Sequence, residues 1–347
     1  MAARTGTSVI VVVAASVLLA AAGAFAGGPI RVTEARLTRP ATGLTPSDAT
    51  FADLAAHFKK GVALLQQGRI VLKSGKPDII VSRLRTYRTN PDDPGVIFRV
   101  HLAKPGLGSA YAVFKPFQRS YRDGYRELAA CKLARYLGVP QPACLERTFT
   151  RKEVQAGVDL VPRKYRGLLL WDGNTIHGYL RLWAFKFRRR IGRLTPSREQ
   201  LLPIAAEIRA GRACDRPQIC HDLSDLLVID YLIANNDRQF NVGSILLPNH
   251  TVQLFAIDWG DGFSGGPKAL RNKVWYRKAF RAVHRFHKPL VDRLRTLTVA
   301  QVDALLRDSK GRLLVKPFYV RHVVAAAKQV VARVDELHKA LGARVYW

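Results

Sequence analysis

The chain reads as an α+β molecule of two lobes, the first β-rich and the second mostly helical. Three observations lead there. The apolar pattern changes from short strands around one helix to mostly helices near residue 184. A strand ends in Ala112-Val113-Phe114-Lys115-Pro116, and the next helix carries Glu127. A helix runs into Asn235-Asn236-Asp237, and the second strand of a following hairpin delivers Asp258 in Ala256-Ile257-Asp258-Trp259-Gly260.

The first residues stand apart from both lobes. Met1 and Arg4 precede an apolar, Ala- and Val-rich run from Val9 to Ala26, which closes on Ala24-Phe25-Ala26 before Gly27-Gly28-Pro29. Small residues at the peptidase positions make residues 1–26 a secretory signal peptide; the competing reading is an uncleaved anchor, because the run is near the lower length for a span. Either reading takes the remainder out of the cytosol. Residues 27–59 hold a flexible stem rich in Thr, Pro, Gly and Ala, and the first helix. That helix is expected from Phe51 to Gln67, since Phe51, Leu54, Ala55, Phe58, Val62 and Leu65 share one face.

The first lobe is assigned to residues 60–183. Strands are expected at Arg69 to Leu72, Ile79 to Ser82, Val96 to Leu102 and Tyr111 to Phe114, with Lys104-Pro105-Gly106-Leu107-Gly108-Ser109 as a hairpin turn between the last two. A helix follows from Tyr121 to Leu137 and stops at Gly138-Val139-Pro140. Leu168 to Trp171 and Ile176 to Phe187 read as a further hairpin, split by Asp172-Gly173-Asn174-Thr175. In the second lobe, residues 184–347, Asp222 or Ser224 caps a helix through Leu226, Leu227, Ile229, Tyr231 and Ile233. Helices near Val274 to Phe286, Val299 to Arg307 and Pro317 to Leu341 complete it, and no internal repeat is visible.

The chain has 347 residues, 48% of them hydrophobic, which is enough for a substantial core and excludes a disordered protein. Its formal charge of +30 comes from 56 Lys and Arg against 26 Asp and Glu, so the surface attracts anions: nucleic acid, anionic membrane, acidic proteins or sulfated glycans. With no zinc-finger spacing and no RNA-binding signature, no specific nucleic-acid partner is expected. Lys186, Arg188, Arg189, Arg190 and Arg193 form the densest basic cluster, near the lobe junction; it suits an acidic substrate and equally a solvated charged face.

Four cysteines are an even set, which in an exported chain reads as disulfides. Cys214 and Cys220 would close a short loop, and Cys131 and Cys144 would tie a helix to the strand after it; other pairings and free thiols stay open. The sequon Asn249-His250-Thr251 lies at an expected hairpin tip, where a glycan is added in a eukaryotic host.

Phosphoryl transfer needs a cation on the phosphates, a metal ion, an acid to hold it and a base near the acceptor hydroxyl. Lys115 and Glu127, 12 positions apart (127 − 115), match the strand lysine and helix glutamate that orient ATP phosphates. Asp237 is the candidate base and Asp258 the candidate metal ligand, with Gly260 letting the backbone turn beside it. Asn241 is the candidate second metal ligand, although Val242 stands at the spacing usual for that residue. This is the layout of a bilobal protein-kinase-like fold. Each residue alone also has a plain reading as a surface charge, a helix-terminal residue or a turn former.

Gly106 and Gly108 are candidates for backbone contact with phosphate, though a hairpin turn also requires glycine. Gly262-Phe263-Ser264-Gly265-Gly266 matches the G-x-S-x-G string of serine hydrolases but lacks the strand directly before it. His284 and His287 read as faces of a basic helix rather than as ligands, since no acidic partner has matching spacing.

Taken together, these motifs resemble a family. Phe114-Lys115-Pro116, Arg126-Glu127-Leu-Ala-Ala, Gly138-Val139-Pro140, Ile176-His-Gly-Tyr with the Ala184-Phe185 segment, and the run from Asp225 to Arg238 resemble the secretory-pathway kinases of the Golgi casein kinase and xylosylkinase group. The resemblance extends from about Ile97 to Leu341, with a more distant likeness to HipA-type and phosphatidylinositol 3/4-kinase-like folds. It implies a divergent lumenal, Golgi or periplasmic kinase that uses ATP with Mn2+ or Mg2+ on an acidic secreted protein or a glycan. Lys115 would bind phosphates, Glu127 would orient Lys115 or contact metal, Phe185 would join the cofactor-binding residues, Asp237 would be the base and Asp258 the metal ligand. Gln239-Phe240-Asn241 and Trp259 depart from the family pattern. A catalytically inactive pseudokinase that binds an anionic partner or activates another kinase is therefore the alternative.

Overall fold

A computed structural model of the chain describes residues 54–87, 90–119, 122–139, 141–182, 217–236, 242–246, 252–256, 258–272, 275–281 and 283–346. The expected signal, stem, basic cluster, sequon and Cys214 lie outside the described residues.

Helix α1 (Leu54–Gln67) precedes the strands β1 (Arg69–Ile70), β2 (Leu72–Lys73), β3 (Lys76–Pro77), β4 (Ile79–Tyr87), β5 (Asn90–Lys104) and β6 (Gly108–Pro116). Then come α2 (Asp123–Leu137), β7 (Cys144–Thr150), α3 (Arg151–Asp159), α4 (Arg163–Arg166), β8 (Trp171–Asp172) and β9 (Thr175–Leu182). The main sheet has the order β1-β5-β6-β9-β7, with β4 also on β5 and β8 also on β9, and its pairs are antiparallel.

Strands β4 and β5 run well beyond the expected Ile79 to Ser82 and Val96 to Leu102. Residues 91–94, with Pro91 and Pro94, fall between the paired positions Tyr87↔Asn90 and Arg85↔Gly95. No ladder hydrogen bond is therefore asked of a proline, which lacks the N–H. The turn between β5 and β6 is as expected: Gly106 and Gly108 have φ of 76° and 79°, a region closed to most side chains. Helix α2 also ends where expected, on Gly138 with φ 76°, whose N–H reaches the carbonyls of Ala134 and Arg135.

The second lobe holds α5 (Pro217–Ile233), the hairpin β10 (Val242–Leu246) and β11 (Val252–Ala256), then α6 (Pro267–Asn272), α7 (Trp275–Arg281), α8 (Lys288–Arg295), α9 (Val299–Leu305) and α10 (Phe318–Leu341). The fold class is the expected one. The helix expected from Val274 to Phe286 ends at Arg281, and α8, which the periodicity did not single out, begins at Lys288 behind Pro289 at a first-turn position.

Two buried clusters result. One, in the β-rich lobe, includes Leu64, Leu65, Phe98, Phe114, Phe149 and Leu180, so α1 packs with the sheet. The other unites Leu128, Leu133 and Leu137 of α2 with Leu226, Ile229 and Ile233 of α5 and Val323 and Val330 of α10. Helix α2 thus belongs by sequence to the first lobe and by packing to the second.

Polar contacts hold it there. Lys132 donates to the Arg307 carbonyl and Arg293 to the Tyr136 carbonyl at 3.2 Å, while on the neighbouring β7 Glu146 accepts from the Ser309 N–H and hydroxyl at 2.7 and 2.8 Å. A disulfide joins Cys131 of α2 to Cys144 of β7, one of the expected pairings.

Candidate active site

Lys115 is the next-to-last residue of β6 and is 2% exposed, so its ammonium group must be met by opposite charge. Glu127, fully buried on α2, makes a direct ion pair with it. Asp258 Oδ1, on the loop after β11, lies 4.0 Å from the same ammonium. Three side chains that the sequence marked far apart therefore converge.

A fourth joins them that the sequence reading missed. Asp123 Oδ2 is also 4.0 Å from Lys115 Nζ, and Asp123 is 1% exposed. It precedes Glu127 by one helical turn (127 − 123 = 4), so a buried acidic pair on one face of α2 was the available signal. Its place in the first turn of α2 is favoured by the helix dipole.

Close backbone approach makes the convergence possible. A Cβ at Gly260 would stand 2.8 Å from Asp123 Oδ2 and 3.1 Å from Asp258 Oδ1, so only glycine lets the loop reach the start of α2. The Gly260 N–H donates to Asp258 Oδ1 at 2.9 Å and fixes its rotamer. Across the sheet, a Cβ at Gly178 would come 2.5 Å from the Lys115 carbonyl.

Three carboxylates surround one ammonium group, and Glu127 Oε2 is buried with no hydrogen-bond partner. Burial raises the Glu127 carboxyl, Lys115 opposes this and the Asp258 charge adds to it, so that it is pushed up to about 8. Arg181 of β9, in register with Val113 and electrostatically coupled to Glu127 and Asp258, supplies further positive charge nearby. Its Nε and one Nη are buried without hydrogen-bond partners, which suits an anionic ligand.

Asp237, Asn241 and Phe185 lie outside the described residues. The chain leading to Asp237 is described, and it is stitched to the Asp258 loop. The Asn236 N–H donates to Asp261 Oδ2 at 2.8 Å, and the Phe263 N–H donates to the Ile233 carbonyl at 2.8 Å. Within this join Ala234 and Phe263 have φ of 54° and 58°, left-handed values that cost a non-glycine residue about 1 kcal/mol or more each. Strain held in two adjoining loops marks a place where position matters more than local stability.

Gly106 and Gly108 do not join the cluster. They stand at the opposite end of β6, and the seven residues from Gly108 to Lys115 (115 − 108) span up to about 24 Å of extended strand. No Cβ neighbour lies within 4 Å of either glycine. Their place is explained by the turn. Ser264 is no nucleophile elbow: β11 ends at Ala256, eight residues earlier (264 − 256), and the hydroxyl donates to Asp261 Oδ1 at 3.1 Å.

A β-rich lobe and a helical lobe meeting at a lysine, glutamate and aspartate cluster define a kinase-like architecture. Solved structures bear this out for the fold. The Golgi casein kinase matches with a TM-score of 0.53 at 13% identity, covering 84% of this chain and 78% of that one. The same kinase with Mn/ADP bound gives 0.52 at 12% identity, over 82% and 77%. Hydra Fam20 with sugar gives 0.51 at 14% identity, over 82% of this chain and 90% of that one. No protein-family model matches the sequence, and no curated protein matches it.

Proposed function

We propose that the chain is an exported atypical kinase that transfers the γ-phosphate of ATP to a hydroxyl of a secreted protein, on Ser or Thr, or of a glycan. The observation that carries this reading is the convergence of Lys115, Glu127 and Asp258 in one buried cluster. The donor set fits a divalent cation. The orphaned Glu127 Oε2 and the neighbouring carboxylate of Asp258 are what an oxygen-preferring ion such as Mn2+ or Mg2+ would satisfy. Asp258 and Glu127 would hold it, with Asn241 as a candidate further ligand. When bound, such an ion neutralises charge on the phosphates of ATP.

The residues of the chain do the rest. Lys115 holds a phosphate oxygen, Glu127 fixes the lysine's direction, and Asp237 accepts the acceptor hydroxyl proton. Asp261 sets the loop that carries Asp237 through the Asn236 N–H. The N-terminal apolar run, the even cysteine count and the Cys131–Cys144 disulfide support a lumenal or extracellular site, such as the Golgi, or a periplasm. The +30 charge supports an acidic acceptor.

One observation favours the inactive alternative. Val242, at the spacing where a second metal ligand is usual, heads β10 in register with Ala256, so an apolar residue occupies that place. Purified protein with ATP and Mn2+ decides between them. Autophosphorylation that is lost in Asp258→Ala supports the kinase. No nucleotide-dependent thermal shift, and no transfer to protein or glycan panels, refutes the kinase and supports the inactive alternative.

A further inference from the structure

A second charged cluster, sharing no residue with the Lys115 pocket, lies in the helical lobe. Asp225 is the middle residue of α5, eight residues or about 12 Å of helix before its end at Ile233 (233 − 225). It is 1% exposed, yet neither carboxylate oxygen has a hydrogen-bond partner. An ionised carboxylate buried in that state is costly, so the site is built for something more than the protein groups around it.

Two imidazoles face it. His221, one helical turn before Asp225, shares its side of α5. His287, the residue preceding α8, places Nδ1 3.3 Å from Asp225 Oδ2. The ligand atoms of the three residues all lie within 4.8 Å of one another, and the two rings meet edge to face with centroids 4.3 Å apart. Tetrahedral coordination with bonds near 2.0–2.1 Å requires donors about 3.3 Å apart, which the His287–Asp225 pair already meets.

The surroundings hold these donors in place. Asp222 Oδ1 lies 3.4 Å from His221 Nδ1, while its other oxygen accepts the Leu254 N–H at 2.8 Å. An imidazole backed by a carboxylate presents its far nitrogen to a metal in a fixed direction. The Ser224 hydroxyl donates to the Arg285 carbonyl at 2.6 Å and binds the segment before His287 to α5. Both histidines are half-buried, which leaves room for a water as fourth ligand and a path for entry.

We infer that His221, Asp225 and His287 form a site for a borderline transition metal, with Zn2+ as the fitting ion, that clamps α5 to the start of α8. Two nitrogens and one carboxylate oxygen suit zinc, whereas Ca2+ and Mg2+ prefer all-oxygen sets. The role is structural. Helix α5 leads into the Asn235-Asn236 loop, and a metal staple across its first half, from His221 to the central Asp225, holds the helix on the lobe. The site is independent of phosphoryl transfer and stands whether or not the chain is a kinase.

The test uses the full chain, stripped with chelator and titrated with ZnCl2, read by metal content after desalting and by thermal melting. Wild type and Asp258→Ala each retain one equivalent and gain several degrees. Asp225→Asn and His287→Gln lose affinity at least tenfold, and Co2+ in place of Zn2+ gives a tetrahedral visible spectrum in the wild type and Asp258→Ala but in neither of these two variants. Absence of zinc binding by the wild type, as for a simple histidine and aspartate ion pair, overturns the inference. So does loss of zinc in Asp258→Ala with retention in Asp225→Asn, which assigns the metal to the other pocket.

Discussion

Replacing Gly260 with alanine perturbs the join between the Asp258 loop and α2 by a single methyl group. That methyl would sit 2.8 Å from Asp123 Oδ2, 3.0 Å from its Cγ and 3.1 Å from Asp258 Oδ1. Asp123 has little room to yield, being 1% exposed with Arg126 3.8 Å from its other oxygen. The loop must therefore move, and Asp258 with it. Overpacking of this kind costs about 1–3 kcal/mol of stability. A displacement approaching 1 Å at a reacting centre costs on the order of 10²-fold in rate. The expected outcome for Gly260→Ala is a modest loss in urea denaturation but a 10- to 100-fold loss, roughly, in Mn2+-dependent nucleotide binding or turnover. Gly266→Ala is the matched control, because a Cβ there meets nothing within 4 Å. Wild-type nucleotide affinity in Gly260→Ala, or an equal loss in Gly266→Ala, would refute the claim that the Asp258 loop sets the pocket.

Four further outcomes are expected. With Glu127 pushed up to about 8, Mn2+ displaces about one proton at pH 7, and its affinity weakens about tenfold for each unit that pH falls below 8; calorimetry in buffers of different ionisation enthalpy checks this, and a flat pH profile from 6 to 8 contradicts it. The sign for stability follows: in metal-free protein the raised carboxyl favours folding fully below about 4.5, and that contribution is lost as pH rises toward about 8, so melting temperature declines across this window unless Mn2+ is present. Lys115→Met strands a buried carboxylate and costs about 3–5 kcal/mol in denaturant, whereas Lys115→Met with Glu127→Leu recovers part of that loss; equal instability of single and double variants argues against the pair. Removing the Cys131–Cys144 bridge, which closes a separation of 13 residues, lowers stability by about 3 kcal/mol, and an unchanged melt under reducing conditions contradicts this.

The clamping of α2 has a functional consequence under the kinase reading. In protein kinases, activity is controlled by moving the helix that carries the glutamate. Here that helix shares its apolar core with α5 and α10 and is tied through Lys132 and Arg293. The Lys115–Glu127 contact is accordingly a standing feature of the fold, and control would act elsewhere.

Local signals fixed several elements before any coordinates. Alternating apolar residues and the glycine turn announced the β5–β6 hairpin, Gly138 ended α2, and the aspartates at loop positions after apolar runs flagged Asp237 and Asp258. Thr150 and Glu153, a reciprocal cap at the start of α3, were equally legible but went unread. What the chain alone left open is contact across distance. Asp123 looked like any helix-initiating acid until Lys115 and Asp258 were brought to it. His287 seemed to lack an acidic partner because Asp225 is 62 positions away in sequence (287 − 225) and 3.3 Å away in space. Periodicity and turn chemistry act over a few residues and so determine elements. Burial and charge pairing are set by which elements pack together, and only the tertiary structure decided which carboxylates would share a cation and which would be left to find one.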